Sequence, residues 1–294
     1  MQIVHTLSEL RDILSAYRHP AVVPTMGNLH EGHLDLVRQA REHGGCTNGT
    51  QSANRQAGCG VVCVVVSVFV NPLQFNRPDD FTAYPRPIDD DLAICRAHGL
   101  DAAYVPTASD MYPSGFETHV EPGALATVLE GAQRPGHFRG VTTVVAKLFG
   151  AARPHVAVFG QKDFQQLTII RRMTSDLDMG IEIIGLPTVR EADGLALSSR
   201  NRRLTLAQRV AAVCVPRALD RLAEACSTGE RDTVRLTELA RSIVDAEPLA
   251  RFEHLEIVHP DTLESLTTIN DHAVAVTAVW FDDVRLIDNR LLSV

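Results

Sequence analysis

Two histidines near the start of the chain are the residues best suited to chemistry. His30 and His33 are separated by two residues and follow a short apolar strand and a glycine turn in residues 24–33. A helix is predicted from Glu31 onward by apolar residues at helical spacing, namely Leu34, Leu36, Val37 and Ala40. Both imidazoles then lie on one side of the helix, beside backbone N–H groups and a dipole that favour an anion such as phosphate. The segment predicts a nucleotide site.

Two other interpretations of this histidine pair stay open. One is metal binding, although His-Glu-Gly-His lacks the four-residue spacing of a zinc-protease helix. The other is that the imidazoles only cap the helix or pack against it. The motifs further along the chain must decide between these interpretations.

Neutral amides follow the next predicted strand. Pro72 cannot donate to a strand ladder, so it ends the pairing and leaves Asn71 and Gln74 at the strand mouth. Amides there can hold a hydroxy acid without adding charge; the alternative is a turn-forming Asn with an exposed Gln. Two arginines lie in the glycine-containing loop 134–141, before a helix predicted at 142–149. They either cover a bound anion or stay solvated.

A third strand end carries a lysine. Gly160 permits close approach of a ligand, Lys162 offers a point charge to phosphate, and Asp163 can accept from ribose hydroxyls. Gln166 lies one helical turn beyond Asp163 and faces the same side. The alternative for Asp163 is a helix cap.

A fourth motif combines hydroxyls, backbone donors and a guanidinium. Ser198, Ser199 and Arg200 suit a triphosphate tail. A capped helix start near Thr205 is the alternative, and it explains the two serines less well.

The elements that must position these motifs alternate between strands and helices. Strands are predicted at 21–23, 61–70, 102–105, 156–159 and 181–186. Such alternation predicts an α/β, Rossmann-like parallel sheet with flanking helices. Ligands bind such sheets outside the carboxyl ends of the strands, and the motifs are all predicted to fall at such ends, which favours a single site.

Beyond residue 187 the pattern changes. Helices are predicted at 205–225 and 233–246, and strands at 253–258, 273–281 and 285–287. We therefore expect a nucleotide-binding catalytic domain at 1–187 and a smaller α+β lid domain at 188–294. The polar segment 44–60 is expected to be a surface loop.

Composition limits the remaining possibilities. The chain has 294 residues, 45% of them hydrophobic, and a formal charge of −8, which allow a large core and argue against a broad basic surface for nucleic acid or lipid. Residues 1–20 lack the apolar stretch of a secretory signal, and 61–70 is too short to cross a bilayer, so a cytoplasmic protein is expected. Six cysteines without paired spacing predict reduced thiols; a Cys46–Cys59 disulfide is the alternative in an oxidising compartment.

Several blocks together resemble the pantothenate synthetase (pantoate–β-alanine ligase) family, which belongs to the nucleotidyltransferase superfamily with His-x-Gly-His. The matching blocks are residues 24–33, 69–75, 83–86, 136–141, 160–166, 197–201, 255–258 and 286–289. The resemblance implies condensation of pantoate with β-alanine through an acyl adenylate, with ATP as co-substrate, Mg²⁺ as cofactor, and AMP and pyrophosphate as products. It also implies a homodimer and a second domain that closes over the ATP site.

The resemblance also assigns roles to residues. His30, His33 and Lys162 are the expected catalytic groups, with His33 the proton donor. The expected ATP contacts are Met26, Gly27, His30, His33, Gly160, Lys162, Asp163, Val189, Leu197, Ser198, Ser199 and Arg200. Among these, Gly160 and Asp163 meet the ribose, and the backbones of Val189 and Leu197 frame adenine. The expected pantoate contacts are Asn71, Gln74 and Gln166, and no protein metal ligand is assigned.

Some residues depart from the family pattern. Asn28 stands where alanine is usual, Gln161 where glutamate is common, and Leu197 where methionine is common. Residues 89–91 are aspartates at a helix start, which either reach Mg²⁺ through water or cap the helix. Two rival functions stay open: an adenylyltransferase of the same superfamily, and a nucleotide-binding module that has lost catalysis.

Overall fold

The computed structural model of the chain describes residues 1–17, 19–44, 63–76 and 78–294. These residues form two compact units. The first unit contains Met1–Gly160 and Ile169–Leu186, and the second contains Gln161–Thr168 and Pro187–Val294. The predicted surface loop beyond residue 44, with Cys46 and Cys59, lies outside the described residues.

A six-stranded parallel sheet forms the centre of the first unit. Its spatial order is β1-β4-β3-β2-β5-β6. The strands are β1 Gln2–Val4, β2 Ala21–Thr25, β3 Val64–Val68, β4 Ala102–Tyr104, β5 Val156–Gly160 and β6 Glu182–Leu186. The central strands read as continuous valine and alanine because both of their faces are buried. The predicted strands do not include β1, an edge strand of only three residues.

Helices connect these strands. They are α1 Leu7–Leu14, α2 Glu31–Gly44, α3 Pro78–Thr82, α4 Ile88–Ala97, α5 Ala108–Met111, α6 Leu129–Gln133, α7 His137–Ala152 and α8 Phe164–Asp176. The apolar face of α2, with Leu36, Val37 and Ala40, packs in one cluster with the valines of β2 and β3. The spacing that predicted α2 is therefore the spacing of its buried face.

Helix α7 begins earlier than predicted. It starts at His137, whereas the predicted loop extends to residue 141. Gly136, at a φ of 81°, supplies the left-handed turn that precedes the helix. Most of α7 is buried, so the histidine and glycine that resemble a loop in sequence form the first turns of a core helix.

The second unit contains a three-stranded antiparallel sheet in the order β7-β8-β9. Its elements are β7 Arg251–Val258, β8 Ala273–Phe281 and β9 Val284–Leu292, with helices α9 Leu206–Ala211, α10 Cys214–Ser227 and α11 Thr233–Asp245. The predicted helix 205–225 is thus two helices. Pro216 has no N–H to donate to the preceding turn, which fits its place in the first turn of α10.

These elements confirm the predicted fold class, a parallel α/β sheet with a smaller α+β region. The boundary between domains at residue 187 stays a prediction.

In the described ranges, no helix combines the length and the apolar character needed to span a membrane. Cys63, Cys95, Cys214 and Cys226 are buried free thiols, and burial raises the pKa of Cys95 to about 11.

Candidate active site

The chain turns sharply between β2 and α2 through two left-handed residues. Gly27 has a φ of 81° and Asn28 a φ of 53°. Glycine adopts this conformation freely, and asparagine tolerates it better than alanine does. The turn geometry therefore gives a physical reason for Asn28, which departs from the family pattern.

A buried carboxylate holds this turn. Asp91 of α4 is 1% exposed and accepts the backbone N–H groups of Asn28 at 2.8 Å and Leu29 at 2.7 Å. A Cβ atom on Gly27 would lie 2.7 Å from Asp91 Oδ2, so glycine is required there for space as well as for conformation. Asp91 thus fixes the strand-to-helix turn.

This role of Asp91 was not predicted from the sequence. The predicted roles of residues 89–91 were helix capping or a water-mediated contact with Mg²⁺. A signal was present, because Ile88, Asp91, Leu92 and Cys95 fall on one helical face and three of the four are apolar. A carboxylate on a buried face needs hydrogen-bond donors, and here the backbone of the turn supplies them.

The histidines lie where the sequence predicted them. His33 N–H donates to the carbonyl of His30 at 2.8 Å, so His30 is at the entrance of α2. In return, His30 N–H donates to Nδ1 of His33 at 3.3 Å, and the two ring centroids are 4.1 Å apart. An Nδ1 atom that accepts has no proton, so this hydrogen bond assigns the proton of a neutral His33 to Nε2. His33 can therefore donate from Nε2.

Asn71 is an organising residue in this structure. Its side chain is 1% exposed; its Oδ1 accepts from Leu73 N–H at 3.2 Å and from the Tyr112 hydroxyl at 2.8 Å. Its Nδ2 donates to Gln74 Oε1 at 3.1 Å and to the Gly140 carbonyl at 3.0 Å. Burial raises the pKa of Tyr112, so its hydroxyl stays protonated and keeps donating. The amide of Asn71 thus positions Gln74.

Gln74 closes the short 3₁₀ turn Pro72–Gln74 and is held on both sides. Its Nε2 donates to Met26 Sδ at 3.0 Å. Its backbone carbonyl accepts from Arg134 Nη2 at 3.1 Å and from His137 Nδ1 at 2.7 Å. The first of the two loop arginines is therefore structural.

The second loop arginine lies on the surface. Arg139 is paired with Glu121 at 3.3 Å, and both side chains are exposed. This exposed contact matches the solvated interpretation for Arg139 alone. Gly140, the next residue, is confined, because a Cβ there would lie 2.7 Å from the backbone nitrogen of Gln74.

In the second unit, Lys162 lies in the 3₁₀ turn Gln161–Asp163 and is half-buried. Within the described part of this unit, neither the Lys162 ammonium nor the Arg200 guanidinium makes a hydrogen bond or ion pair. Asp163 is exposed and accepts no capping hydrogen bond from the described residues, so the helix-cap alternative is not seen. Gln166 is half-buried one turn later.

The segment 189–200 forms a tight reversal. Leu197 N–H donates to the Val189 carbonyl at 2.9 Å, and Gly194 at a φ of 91° turns the chain between them. This hydrogen bond uses the Val189 carbonyl and the Leu197 N–H. The predicted backbone contacts with adenine therefore fall to the Val189 N–H and the Leu197 carbonyl. The hydroxyl oxygen of Ser198 accepts from Arg200 N–H at 3.3 Å and caps the 3₁₀ turn Ser199–Arg203.

A capped helix start near Thr205 was the alternative explanation for Ser198 and Ser199. The structure shows that Thr205 itself caps this helix. Thr205 caps α9 in a reciprocal arrangement with Gln208. The serines are therefore not needed for that helix start. They stay candidates for phosphate contacts.

The predicted residues fall into both units. The first unit holds Met26, Gly27, His30, His33, Asn71, Gln74 and Gly160, which lie at or beyond the carboxyl ends of the neighbouring strands β2, β3 and β5. The second unit holds Lys162, Asp163, Gln166, Val189, Leu197, Ser198, Ser199 and Arg200. Their contacts with ligands stay predictions. No group of three or more His, Cys, Asp or Glu side chains suited to a metal is found in the described ranges.

A parallel sheet with polar groups beyond its carboxyl ends defines a Rossmann-like α/β protein with a candidate nucleotide site. More particularly, the chain belongs to the pantoate–β-alanine ligase family, whose profile matches residues 2–291. The predicted family and ligase class are confirmed. Family membership favours the ligase over the rival adenylyltransferase.

Relatives and solved structures cover nearly the whole chain. The pantothenate synthetase of Chloroflexus aurantiacus is 47% identical over 294 residues, which are 100% of this chain and 99% of the relative. The pantothenate synthetase structure from Thermus thermophilus matches with a TM-score of 0.89 and 43% identity over 99% of both chains. The pantoate–β-alanine ligase of Francisella tularensis, complexed with beta-gamma ATP and β-alanine, matches with a TM-score of 0.77 and 31% identity, covering 99% of this chain and 97% of that one.

Proposed function

We propose that this protein joins pantoate to β-alanine in two steps at the expense of ATP. In the first, a carboxylate oxygen of pantoate attacks the α-phosphorus, and pyrophosphate leaves. In the second, the free amine of β-alanine attacks the acyl carbon of pantoyl adenylate, and AMP leaves with the formation of pantothenate. The observation that carries the proposal is the family match along residues 2–291.

The first step needs donors that are fixed in advance. Negative charge builds on the phosphoryl oxygens in the transition state, and donors already in place lower the barrier. His33 supplies such a donor at Nε2, because its Nδ1 is engaged by His30 N–H. His30 lies beside it, and both meet the α- and β-phosphates.

The second unit supplies positive charge and hydroxyls. Lys162 and Arg200 neutralise the phosphates, and Ser198 and Ser199 add hydrogen bonds. Asp163, which is exposed, and Gly160, where a Cβ would have no neighbour within 4 Å, meet the ribose.

Mg²⁺ fits this donor set as a phosphate-bound ion. Magnesium is commonly held by substrate phosphates, waters and few carboxylates rather than by a cage of side chains. When bound, the ion would neutralise phosphate charge.

Pantoate is held by amides. Gln74 and Gln166 bind its hydroxyls and carboxylate, and Asn71 assists by fixing Gln74 through the bond of 3.1 Å. Amides suit this substrate because they hydrogen-bond it without opposing its attack on a charged phosphate. The homodimer and the cytoplasmic location stay predictions.

A two-stage assay tests the proposal. The protein is incubated with ATP, Mg²⁺ and pantoate, pyrophosphate is measured, and β-alanine is then added. We expect pyrophosphate first and an amide product only after the amine arrives. Adenylate transfer to a phosphorylated acceptor would favour the adenylyltransferase, and ATP binding without turnover would favour an inactive module.

A further inference from the structure

A side chain on the last strand holds the backbone of Lys162. The amide Nδ2 of Asn289 donates to the Gln161 carbonyl at 2.8 Å and to the Lys162 carbonyl at 2.9 Å. Asn289 is 7% exposed and lies on β9 in the same unit. Both hydrogens of one buried amide are thus used on consecutive carbonyls of the lysine turn.

The neighbouring residue holds a second segment. Asp288, 3% exposed, receives both ends of the Arg190 guanidinium at 2.7 and 2.9 Å, and its Oδ1 also accepts the N–H of Asn289 at 2.7 Å. Arg190 donates in turn to the Gly194 carbonyl at 3.0 Å. Asp288 therefore holds the reversal that carries Val189 and Leu197.

We propose that Asp288 and Asn289 are positioning residues for the nucleotide, Asn289 through the Lys162 backbone and Asp288 through Arg190. The proposal rests on the function proposed above. A lysine side chain is long and flexible, so the place its ammonium can reach depends on where its backbone is held. A displacement of about 1 Å at a reacting group can cost about 100-fold in rate.

Variants of Asn289 and of Asp288 are expected to impair different kinetic parameters. Asn289→Ala frees the Lys162 backbone and lowers the rate constant of single-turnover pyrophosphate formation by about 10- to 100-fold, with the KM for ATP changed by less than about threefold. Asn289→Asp keeps the size but places a carboxylate against two carbonyls, so it should be at least as slow. Asp288→Asn weakens the hold on Arg190 and raises the KM for ATP by about tenfold.

A matched control comes from the facing strand. Thr277 pairs in register with Asp288, is buried, and donates to the His254 carbonyl at 2.7 Å. Thr277→Val removes a buried hydrogen bond from the same sheet without touching Lys162. We expect lower thermal stability and a rate within about twofold of the unmodified protein.

The decisive measurement combines Asn289→Ala with Lys162→Ala. If Asn289 acts through Lys162, adding Asn289→Ala to Lys162→Ala slows the step by less than about twofold further. An independent further loss, a wild-type rate in Asn289→Ala beside a slow Lys162→Ala, or both Asn289 variants unfolding under assay conditions would overturn the proposal. A wild-type rate in Lys162→Ala would instead contradict the proposed role of the lysine.

Discussion

The two segments assigned to phosphate binding are built in opposite ways. In the first unit, the side chain is fixed: His33 Nδ1 is engaged by the backbone of His30, and Asp91 holds the turn behind it. In the second unit, the backbone is fixed: Asn289 holds the carbonyls of Gln161 and Lys162, while the lysine ammonium has no partner among the described residues of its unit.

The difference follows from what each group must do. A proton donor must present a particular nitrogen in a particular tautomer, so its ring has to be held. A counter-charge acts over a longer distance and with less directionality, so it needs reach rather than a fixed orientation. Under the proposed function, the proton donor is thus a restrained side chain of the first unit, and the counter-charge extends from a restrained main chain of the second.

The largest effect is expected from removing the counter-charge. Lys162→Ala should lower turnover by roughly two to four powers of ten, because stabilisation of charge in the transition state is lost. Lys162→Arg should recover part of that loss, since it restores charge with another geometry. Pyrophosphate release with ATP and pantoate measures both variants, and wild-type turnover in Lys162→Ala would contradict the assigned role.

Two substitutions of His33 distinguish a catalytic role of its imidazole from a helix-capping role. A glutamine at the third helical position can accept from the N–H that precedes the helix, as His33 Nδ1 does here. We expect His33→Gln to keep the thermal stability of the unmodified protein while turnover falls by about 100-fold or more. His33→Ala should lose both, with about 1 kcal/mol of stability. Normal turnover in His33→Gln would mean that the imidazole is only a cap.

Alanine substitutions at Gly27 and Gly160 compare a sterically confined position with an open one. Gly27→Ala would force an alanine into a left-handed backbone and against Asp91, so we expect a loss of about 2–4 kcal/mol. Gly160→Ala meets no neighbour within 4 Å, and its stability should change by less than about 0.5 kcal/mol. Denaturant unfolding measures both. Equal stabilities would contradict the confinement of Gly27.

The smallest effect concerns the support of Gln74. Tyr112→Phe removes the hydroxyl that donates to Asn71 Oδ1 at 2.8 Å. A lost hydrogen bond of about 1 kcal/mol should raise the KM for pantoate by about three- to tenfold and leave the KM for ATP unchanged. Tyr17→Phe is the matched control, because the Tyr17 hydroxyl makes no hydrogen bond with the described residues. A change in the KM for ATP alone would contradict a role on the pantoate side.

Local patterns predicted a large share of the fold. The spacing of Leu36, Val37 and Ala40 indicated α2, and the valine runs indicated the central strands, because each pattern follows the burial of its own element. Where several residues compete, the sequence was less informative. The start of α7 was misplaced because Gly136 and Gly140 resemble a loop until the packing of Gly140 against residue 74 is known.

The candidate site divides in the same manner. The sequence by itself determined which chemical groups are available: paired imidazoles after a glycine turn, amides after Pro72, and a lysine after Gly160. Only the tertiary structure decided what holds them, since Asp91 reaches residues 28–29 and Asn289 reaches residues 161–162 across long stretches of chain. Short-range periodicity reports which face of an element is buried, whereas hydrogen bonds between distant segments exist only once the chain has folded.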